Sequence, residues 1–564
     1  MKTIKRVKLC LIAFFAVVFA SMTLTLVATN VKRADAATAL DTATFVMDDT
    51  GLTLRTNNQV GPRFKVKMEK GLAERIRKEA ITLSFLIAPR AAFDKANYNY
   101  ETLLAAANSA TGTSAPARIK EADKTKIYEE GDYSWASLVI NTSEANRTLD
   151  MSVVAYITYY DNAGSRVNRY AATDVEKVRG NLYNVVNTTA LSDAVLAKDI
   201  LENSEFGWYG AGNYPIEIST NEQAEVLKNS GANFSGKVVL ANSSVNIPSE
   251  IAGNVKTVTE QAVGGNKAEI VLGSGTSYAV DMGTLDGNVV KATIGGKAVS
   301  YANGNVTLDF DFKNRLIKHG EQTLTVTVEK DGQYTNYNKE VLIVTKEISS
   351  FDELKSALAF NKNNVKFGYY RLKNKLEGYN WYQSENGIGG GIWKNPTGEL
   401  GFRGTLDGNN LSIRETFWNT GLFGYVGKGA VIKNITFNMN QYNAGKMLFG
   451  YSMIGATVDN VKVNVTQSNG GITEIPGDIS GLLTAIFSYG NTFNKLAVDA
   501  QNTDVDTLFG SCAYYGYPAG YEENKFTACT VKAKSLIGLA CTDNVNKTVT
   551  PYKNVKGLTV TLGA

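Results

Sequence analysis

Short segments in which apolar and polar residues alternate are the first regularity along this chain. Up to about residue 192 they include FKVKM (64–68), ITLSFLIAP (81–89), WASLVI (135–140) and MSVVAYITYY (151–160). Glycine, asparagine or charged clusters bound each segment, as they bound the strands of a packed sheet. The segment 41–199 is therefore predicted to be an N-terminal β-sandwich domain.

The next segment, 200–262, has a mixed pattern. ISTNEQAEVLKNS (218–230) is typical of a short helix that begins after a cap at Ser219 or Thr220, and GKVVLA (236–241) is typical of a strand. We expect a connecting α/β subdomain here.

Strands then recur every 8–12 residues between 263 and 347, from AEIVL (268–272) to KEVLIVT (339–345). Gly295-Gly296 and Asp331-Gly332 have the backbone freedom that tight hairpins need. This spacing predicts an immunoglobulin-like β-sandwich, although no cysteine pair accompanies it.

An internal repeat marks the last third of the chain. GLFGYVGKGAVIKNITFNMN (421–440) aligns with MLFGYSMIGATVDNVKVNVT (447–466) at an offset of 26, so that Asn434 falls on Asn460 and Ile435 on Val461. Looser copies follow towards the end, and a period of this length is typical of a solenoid. We predict a parallel β-helix over 348–564, in which FDELKSALAF, a short amphipathic helix, forms the N-terminal cap and turn asparagines stack from coil to coil.

Two sets of phrases resemble known bacterial proteins. FRGTLDGNN, GLFG and IKNITF resemble the right-handed parallel β-helix repeats of bacterial surface proteins, and GLTLR…RFKV, LSFLIAP, SWASLVINTSEAN and VVAYITYYD resemble an accessory module of large secreted proteins from Gram-positive gut bacteria. The resemblance implies a mainly β surface protein with a pectin lyase-like C-terminal fold. It implies no single activity, because such helices serve adhesins, lyases, hydrolases and plain spacers.

The first 36 residues predict export. A basic start (MKTIKRVK), an apolar run from Leu9 to Ala28 and small residues at Ala34-Asp35-Ala36 are typical of a signal peptide, with an uncleaved membrane anchor as the alternative. We therefore expect a secreted, extracellular protein without membrane contact after cleavage. Three cysteines remain, Cys512, Cys529 and Cys541, which fit three buried thiols or one bridge with a free thiol.

Composition excludes several classes of protein. Hydrophobic residues make up 44% of the chain and charged residues 20%, with 52 glycines against 9 prolines, which excludes a disordered chain or collagen. The net charge of +4 arises in the signal segment, which holds six basic residues and one acidic residue. The nearly neutral remainder gives no electrostatic reason to expect nucleic acid as a partner. The sequence does not determine the oligomeric state.

Catalytic patterns of polysaccharide-degrading β-helices are incomplete in this chain. Asn502-Thr503-Asp504 matches one phrase of polygalacturonase-like hydrolases, but the paired acids and the histidine phrase are missing, and the single histidine, His319, lies in the predicted sandwich. Lyases use an arginine or lysine base and calcium held by several carboxylates. Arg403 and Arg414 are the only arginines of the repeats. We expect no shared register that would gather Asp407, Asp459, Asp499, Asp504 and Asp506 around one ion, and calcium through Asp504 and Asp506 is the one cofactor hypothesis.

Aromatic residues at the entrance of the predicted helix are the candidate binding residues. Trp381, Tyr382, Trp393 and Trp418 lie in or near a polar, glycine-rich stretch, where flat rings can stack on sugars. Sealing of the first coil is the alternative role. The resulting hypothesis is non-catalytic binding of an extracellular glycan or cell-surface component through the β-helix, with no catalytic residue assigned. A polysaccharide lyase or glycoside hydrolase acting on acidic polysaccharide, and a structural spacer, are the alternatives.

Overall fold

The chain is mainly β and divides into two compact units, Met1–Ala88 with Leu104–Arg147 and Met151–Val185, and Pro89–Leu103 with Thr148–Asp150 and Val186–Ala564. The computed structural model describes residues 40, 42–48, 52–55, 61–96, 98–109, 117–141, 149–161, 163–173, 178–180, 182, 185–186, 189, 191–202, 215–234, 237–273, 275, 277–310, 317–358, 365–366, 368–382, 401–418, 422–439, 448–465, 481–510, 522–543 and 548–563. The predicted signal segment lies outside these residues. Among them, no helix combines the length and apolar character that a membrane crossing requires.

The described part of the first region contains ten strands and three α-helices. They are β1 (Phe45–Met47), β2 (Thr53–Arg55), β3 (Gly61–Glu69), α1 (Lys70–Lys78), β4 (Thr82–Pro89), α2 (Arg90–Lys95), α3 (Tyr100–Ser109), β5 (Arg118–Glu121), β6 (Tyr128–Glu130), β7 (Tyr133–Val139), β8 (Met151–Tyr160), β9 (Arg166–Tyr170) and β10 (Arg179–Gly180).

These strands form two five-stranded antiparallel sheets that share one core. One sheet has the order β1-β3-β7-β6 with β2 beside β3, and the other has the order β10-β8-β4-β5 with β9 beside β8. Val66 from the first sheet and Phe85 and Val153 from the second belong to the same buried cluster, and α1 adds Leu72. The predicted N-terminal β-sandwich is confirmed.

The second region contains the strands and helices between 194 and 344. They are α4 (Ala194–Glu202), β11 (Ile216–Ile218), α5 (Asn221–Ser230), β12 (Val239–Asn242), β13 (Val255–Ala262), β14 (Ala268–Val271), β15 (Ser277–Asp281), β16 (Asn288–Ile294), β17 (Lys297–Ala298), β18 (Ser300–Ala302), β19 (Asn305–Asp309), β20 (Gly320–Lys330) and β21 (Gln333–Val344).

A second sandwich is built from this region. An eight-stranded sheet of order β11-β12-β13-β21-β20-β16-β17, with β14 beside β21, faces a three-stranded sheet β15-β19-β18, and both contribute to one core. Gly295 (φ 53°) and Gly296 (φ 76°) join β16 to β17, while Asp331 (φ 51°) and Gly332 (φ 75°) join β20 to β21, as predicted. Because β13 pairs in parallel with β21, one sheet runs across the predicted connecting segment and the predicted sandwich.

In the described part of the C-terminal region, seventeen strands form one sheet, and a short helix follows the first of them. Its elements are β22 (Lys346–Ile348), α6 (Phe351–Leu358), β23 (Val365–Lys366), β24 (Tyr369–Leu372), β25 (Leu376–Tyr382), β26 (Gly401–Phe402), β27 (Thr405–Trp418), β28 (Gly424–Val426), β29 (Val431–Met439), β30 (Gly450–Ile454), β31 (Thr457–Val465), β32 (Gly481–Tyr489), β33 (Thr492–Asn494), β34 (Ala497–Phe509), β35 (Lys525–Thr527), β36 (Cys529–Asp543), β37 (Thr548–Thr550) and β38 (Leu558–Leu562). The strand pairs of this sheet for which residue partners are defined are parallel, except the antiparallel pair of β36 with β37.

The sequence offset of 26 is the length of one coil. The Leu422 amide donates to the carbonyl of Leu448 over 2.8 Å, and Ile435 pairs with Val461, the partner that the alignment predicts. Phe437 and the other inward residues of successive coils form one continuous buried cluster. The parallel β-helix is therefore confirmed, and its right-handed sense stays a prediction.

Five successive coils turn at equivalent positions, and the residue at each of these positions has a left-handed backbone conformation. Asn434 (φ 52°), Asn460 (φ 53°), Lys495 (φ 50°), Ala528 (φ 52°) and Gly557 (φ 81°) occupy these positions in successive coils. Asparagine tolerates this conformation better than most residues. The Asn460 Nδ2 donates to Asn434 Oδ1 over 3.0 Å, so the predicted stacking of turn asparagines is confirmed at these two coils.

The helix α6 closes the start of the β-helix, as predicted, because Leu354 and Leu358 join its core. Ser350 Oγ accepts from the Glu353 amide, and the Glu353 carboxylate accepts from the Ser349 amide, a reciprocal cap.

The same cap occurs 130 residues earlier at α5. There Thr220 accepts from the Gln223 amide and the Gln223 side chain accepts from the Ser219 amide. The parallel strands β11 and β12 flank α5 as β22 and β24 flank α6. This strand–helix–strand repeat escaped the sequence analysis, because only a few polar positions carry it.

Candidate functional site

The outer side of one strand layer is a regular polar surface of the β-helix. In β29 the turn at Asn434 is followed by Ile435–Met439, in which buried and half-buried residues alternate. Successive residues of a strand face opposite sides of the sheet, so this alternation separates core residues from outer residues. We call the outer residues of this layer the polar face; they are Ser412, Arg414, Thr436, Asn438, Lys462, Asn464, Ala497, Asp499, Thr530, Lys532, Thr559 and Thr561.

Parallel pairing stacks these side chains in columns along the β-helix. One column runs from Arg414 through Asn438, Asn464 and Asp499 to Lys532. The Asn464 Nδ2 donates to Asn438 Oδ1 over 2.8 Å, which leaves further amide atoms of both residues for other partners. The column thus offers donors and acceptors at the strand spacing of about 4.8 Å.

Three of the four predicted aromatic positions, 381, 382 and 418, adjoin this face at its first coils. In the register of β25 with β27, Trp381 pairs with Phe417 and Tyr382 with Trp418. Positions two apart share a side of a strand, so position 418 belongs to the side of Arg414. The structure describes the backbone of these three predicted positions and not their side chains, and Trp393 lies outside the described residues. The fold therefore brings positions 381, 382 and 418 together on neighbouring coils.

The two arginines of the repeats have different surroundings. Arg403 is buried, and its Nε donates to the carbonyl of Lys428 over 2.9 Å, which ties two coils together. Arg414 is exposed on the polar face. Only Arg414 is therefore placed where a base for elimination would have to meet a polysaccharide.

Two acidic residues of the β-helix share a column. Asp407 pairs with Lys433 and Lys433 pairs with Asp459. Lys433 lies between the two acids, which puts them about two strand spacings apart, too far to hold one ion. Across the described part of the chain, no group of three or more His, Cys, Asp or Glu residues could hold a metal.

Asp504, the acid of both the hydrolase and the calcium hypotheses, is engaged in local contacts. Its carboxylate accepts from Lys534 Nζ over 2.9 Å and from Ser535 Oγ over 2.6 Å. The hydrogen bonds from Lys534 and Ser535 and the charge of Lys534 lower the pKa of Asp504. Such a carboxylate is ionised at neutral pH and is unsuited to act as a general acid.

The other residues that the sequence singles out are His319 and the three cysteines. His319 Nδ1 lies 2.7 Å from Oγ1 of Thr345. Thr345 lies in the segment that leads from the second sandwich into the β-helix. Cys529 is buried with a free thiol, and its Sγ lies 3.2 Å from the carbonyl of Phe493. Cys512 and the side chain of Cys541 lie outside the described part of the chain.

A charged cluster that sequence reasoning missed joins the second sandwich to the first coils. Arg371 forms two hydrogen bonds with Glu269, at 2.7 and 2.6 Å, and a third with Glu347 at 2.8 Å. Lys433 lies 3.6 Å from Glu321 and 5.2 Å from the ring of Tyr369.

The buried Tyr369 extends this cluster into the β-helix. Its hydroxyl donates to Asp407, and its amide donates to Thr345 over 2.7 Å. Burial and the hydrogen bond to Asp407 raise the pKa of Tyr369. The phenol is therefore protonated at neutral pH and donates this hydrogen bond. Charged residues that lie 102 positions apart in sequence are brought together here, and no local pattern signals their pairing.

We expect acid to weaken this junction. The hydrogen bonds and charge of Arg371 lower the pKa of Glu269 and Glu347, and those of Lys267 and Lys433 lower the pKa of Glu321, each below the ordinary value of 4.5. A carboxylate whose pKa is lowered by folding stabilises the protein above its unfolded pKa, and this contribution is lost as the pH falls through the folded value. Thermal unfolding followed between pH 7 and pH 3 should show a decreasing midpoint below about pH 4.5.

The Arg371→Gln variant tests the cause of this pH dependence. It should have a lower midpoint at pH 7 and a weaker dependence on pH, since it lacks the charge that lowers two of the three pKa values. Equal slopes for the variant and the unmodified protein would contradict the prediction.

Comparison with known proteins does not assign this chain to a family. No family model matches it, and the searches of curated proteins and of solved structures find no match. The functional argument therefore depends on the polar face and its neighbouring residues.

Proposed function

We propose that this chain is an extracellular bacterial surface protein that binds a glycan on the polar face of its β-helix without chemically altering it. The observation that carries the proposal is the column of Asn438 and Asn464 with Arg414 and Lys532, exposed or half-buried along successive coils. Sugar hydroxyls both donate and accept hydrogen bonds, and amide side chains match both roles.

The aromatic positions supply the second element of the proposed site. Positions 382 and 418 lie beside each other on the side of Arg414, at one end of the polar face. An aromatic ring there would stack on a sugar while the asparagine column binds the hydroxyls of the following units. The right-handed β-helix and the immunoglobulin-like sandwich of Gram-positive surface proteins, suggested by the sequence phrases, fit this arrangement.

Catalysis has less support than binding. A lyase needs a base beside several carboxylates, whereas the polar face holds a single aspartate, Asp499, among the basic residues Arg414, Lys462 and Lys532. A spacer without ligand remains the alternative that the binding experiment tests.

The test is binding of the purified full chain to an array of plant cell-wall, host and bacterial glycans. For a glycan that binds, the Tyr382→Ala/Trp418→Ala and Asn438→Ala/Asn464→Ala variants should each bind about tenfold more weakly, the loss expected for an aromatic contact or a pair of hydrogen bonds. Tyr160→Ala, which removes a tyrosine that is 67% exposed on the N-terminal sandwich, is the matched control and should bind normally.

Two results would overturn the proposal. Failure of the unmodified chain to bind any glycan of the array would support the spacer. Release of unsaturated uronates from pectin or glycosaminoglycans by the purified chain would instead support the lyase.

A further inference from the structure

A lysine and an aspartate are buried against each other in the second unit. The side chains of Lys297 and Asp150 are 8% and 3% exposed, and Lys297 Nζ donates directly to Asp150 Oδ2. Charged residues are rarely buried to this extent. The pair plays no part in the polar face and needs an explanation of its own.

The backbone holds both partners in place. Lys297 directly follows the two-glycine turn, and β16 and β17 pair through Ile294 and Lys297. On the other side, the carbonyl of Asp150 accepts from the Arg90 amide over 3.0 Å. The amine and the carboxyl group are therefore kept in contact by secondary structure as well as by their charges.

Burial alters the chemistry of such a pair. Removing two opposite charges from water is costly, and transfer of one proton along the existing hydrogen bond converts them into a neutral amine and a neutral carboxylic acid. A neutral amine is a nucleophile, and an un-ionised carboxyl carbon is an electrophile. Groups held in contact react as if at a very high concentration, and exclusion of water protects the product from hydrolysis.

We propose that Lys297 and Asp150 condense to an intramolecular amide. Lys297 Nζ attacks Asp150 Cγ and forms the C–N bond, and the Cγ–O bond of one carboxyl oxygen breaks. That oxygen carries one proton from the earlier transfer and takes a second from the attacking nitrogen, so that it leaves as one water molecule. Oxidation state is unchanged throughout, and no co-reactant is needed.

A second buried lysine of the same sheet provides the comparison. Lys291 in β16 contacts Glu217, and its side chain is 4% exposed, but the Glu217 side chain is 34% exposed. Water solvates that carboxylate, so this pair lacks the burial of the acid on which the proposed condensation depends. The difference between the two pairs is the burial of the acid.

The amide would tie together two points that are 147 residues apart in the chain. A covalent tie of this kind prevents the two segments from separating under tension or transient unfolding. This consequence is independent of the proposed glycan binding.

The experiment is a tryptic map of the purified full chain by mass spectrometry after complete denaturation. We expect one branched peptide that joins the segments around Lys297 and Asp150, with a mass lower than the sum of its two parts by one water molecule. Cleavage after Lys297 should be absent, because trypsin needs a free lysine side chain.

Variants distinguish a covalent amide from a strong ion pair. The branched peptide should be missing in Lys297→Arg and in Asp150→Ala, and it should remain in the Lys291→Ala control. Separate, unlinked peptides of full mass from the unmodified chain would overturn the proposal, and that measurement requires no variant to fold.

Discussion

Replacement of Phe437 by alanine should lower the free energy of unfolding of the β-helix by about 3–5 kcal/mol, the usual range for a large aromatic residue removed from a core. Phe437 is fully buried, between Ile413 of the preceding coil and Val463 of the following coil. Its ring also lies edge-on to Phe449, with centroids 6.0 Å apart. The cavity would open in the middle of a continuous stack. The neighbouring coils are held in register there and cannot move inwards to fill it.

Thr436→Ala is the matched control for this change. Thr436 is the preceding residue of the same strand, half-buried on the polar face, and its removal should alter stability by no more than about 0.5 kcal/mol. Chemical denaturation of both variants, with the transition of the β-helix followed separately from those of the sandwiches, provides the comparison. Similar losses for the two variants would contradict the inward assignment of Phe437.

Asn491→Ala should produce the second large loss, about 3 kcal/mol. The Asn491 side chain is fully buried, its Oδ1 accepts from the Ala456 amide over 2.9 Å, and its Nδ2 donates to the carbonyl of Met453 over 2.9 Å. Alanine would leave both backbone groups buried without these partners, and each such group costs about 1–3 kcal/mol.

Asn494→Ala in the same coil is the control for Asn491→Ala. Asn494 lies three residues further on and is half-buried at an outer position of β33. We expect its replacement to stay within about 0.5 kcal/mol. A loss for Asn491→Ala as small as that of Asn494→Ala would mean that the amide is dispensable inside the solenoid.

Asn491 and Asn434 also mark a limit of sequence reasoning. The sequence predicts stacked turn asparagines, and Asn434 and Asn460 form such a pair. It does not distinguish them from Asn491, which is fully buried and donates to Asn524 of the next coil over 2.9 Å. Both kinds of asparagine occupy turns between apolar runs, and only the position of the turn relative to the core separates them.

The candidate site was predicted in part. The sequence singles out Trp381, Tyr382 and Trp418, and the register of β25 with β27 brings these positions to neighbouring coils. The asparagine column of the polar face was not predicted, because Asn438 and Asn464 each resemble any outward polar residue of a strand. Their alignment depends on the coil length, which relates residues 26 positions apart.

The sequence by itself determined the strands, the solenoid and the pairing of its coils. Alternation of apolar and polar residues is a local property, and a repeat of 26 residues already states which residues of two coils meet. Tertiary structure alone decided which charges lie together, as in Arg371 with Glu269 and Lys297 with Asp150. Such pairs join segments that are far apart in sequence. Their formation depends on how the segments pack and how much water that packing removes.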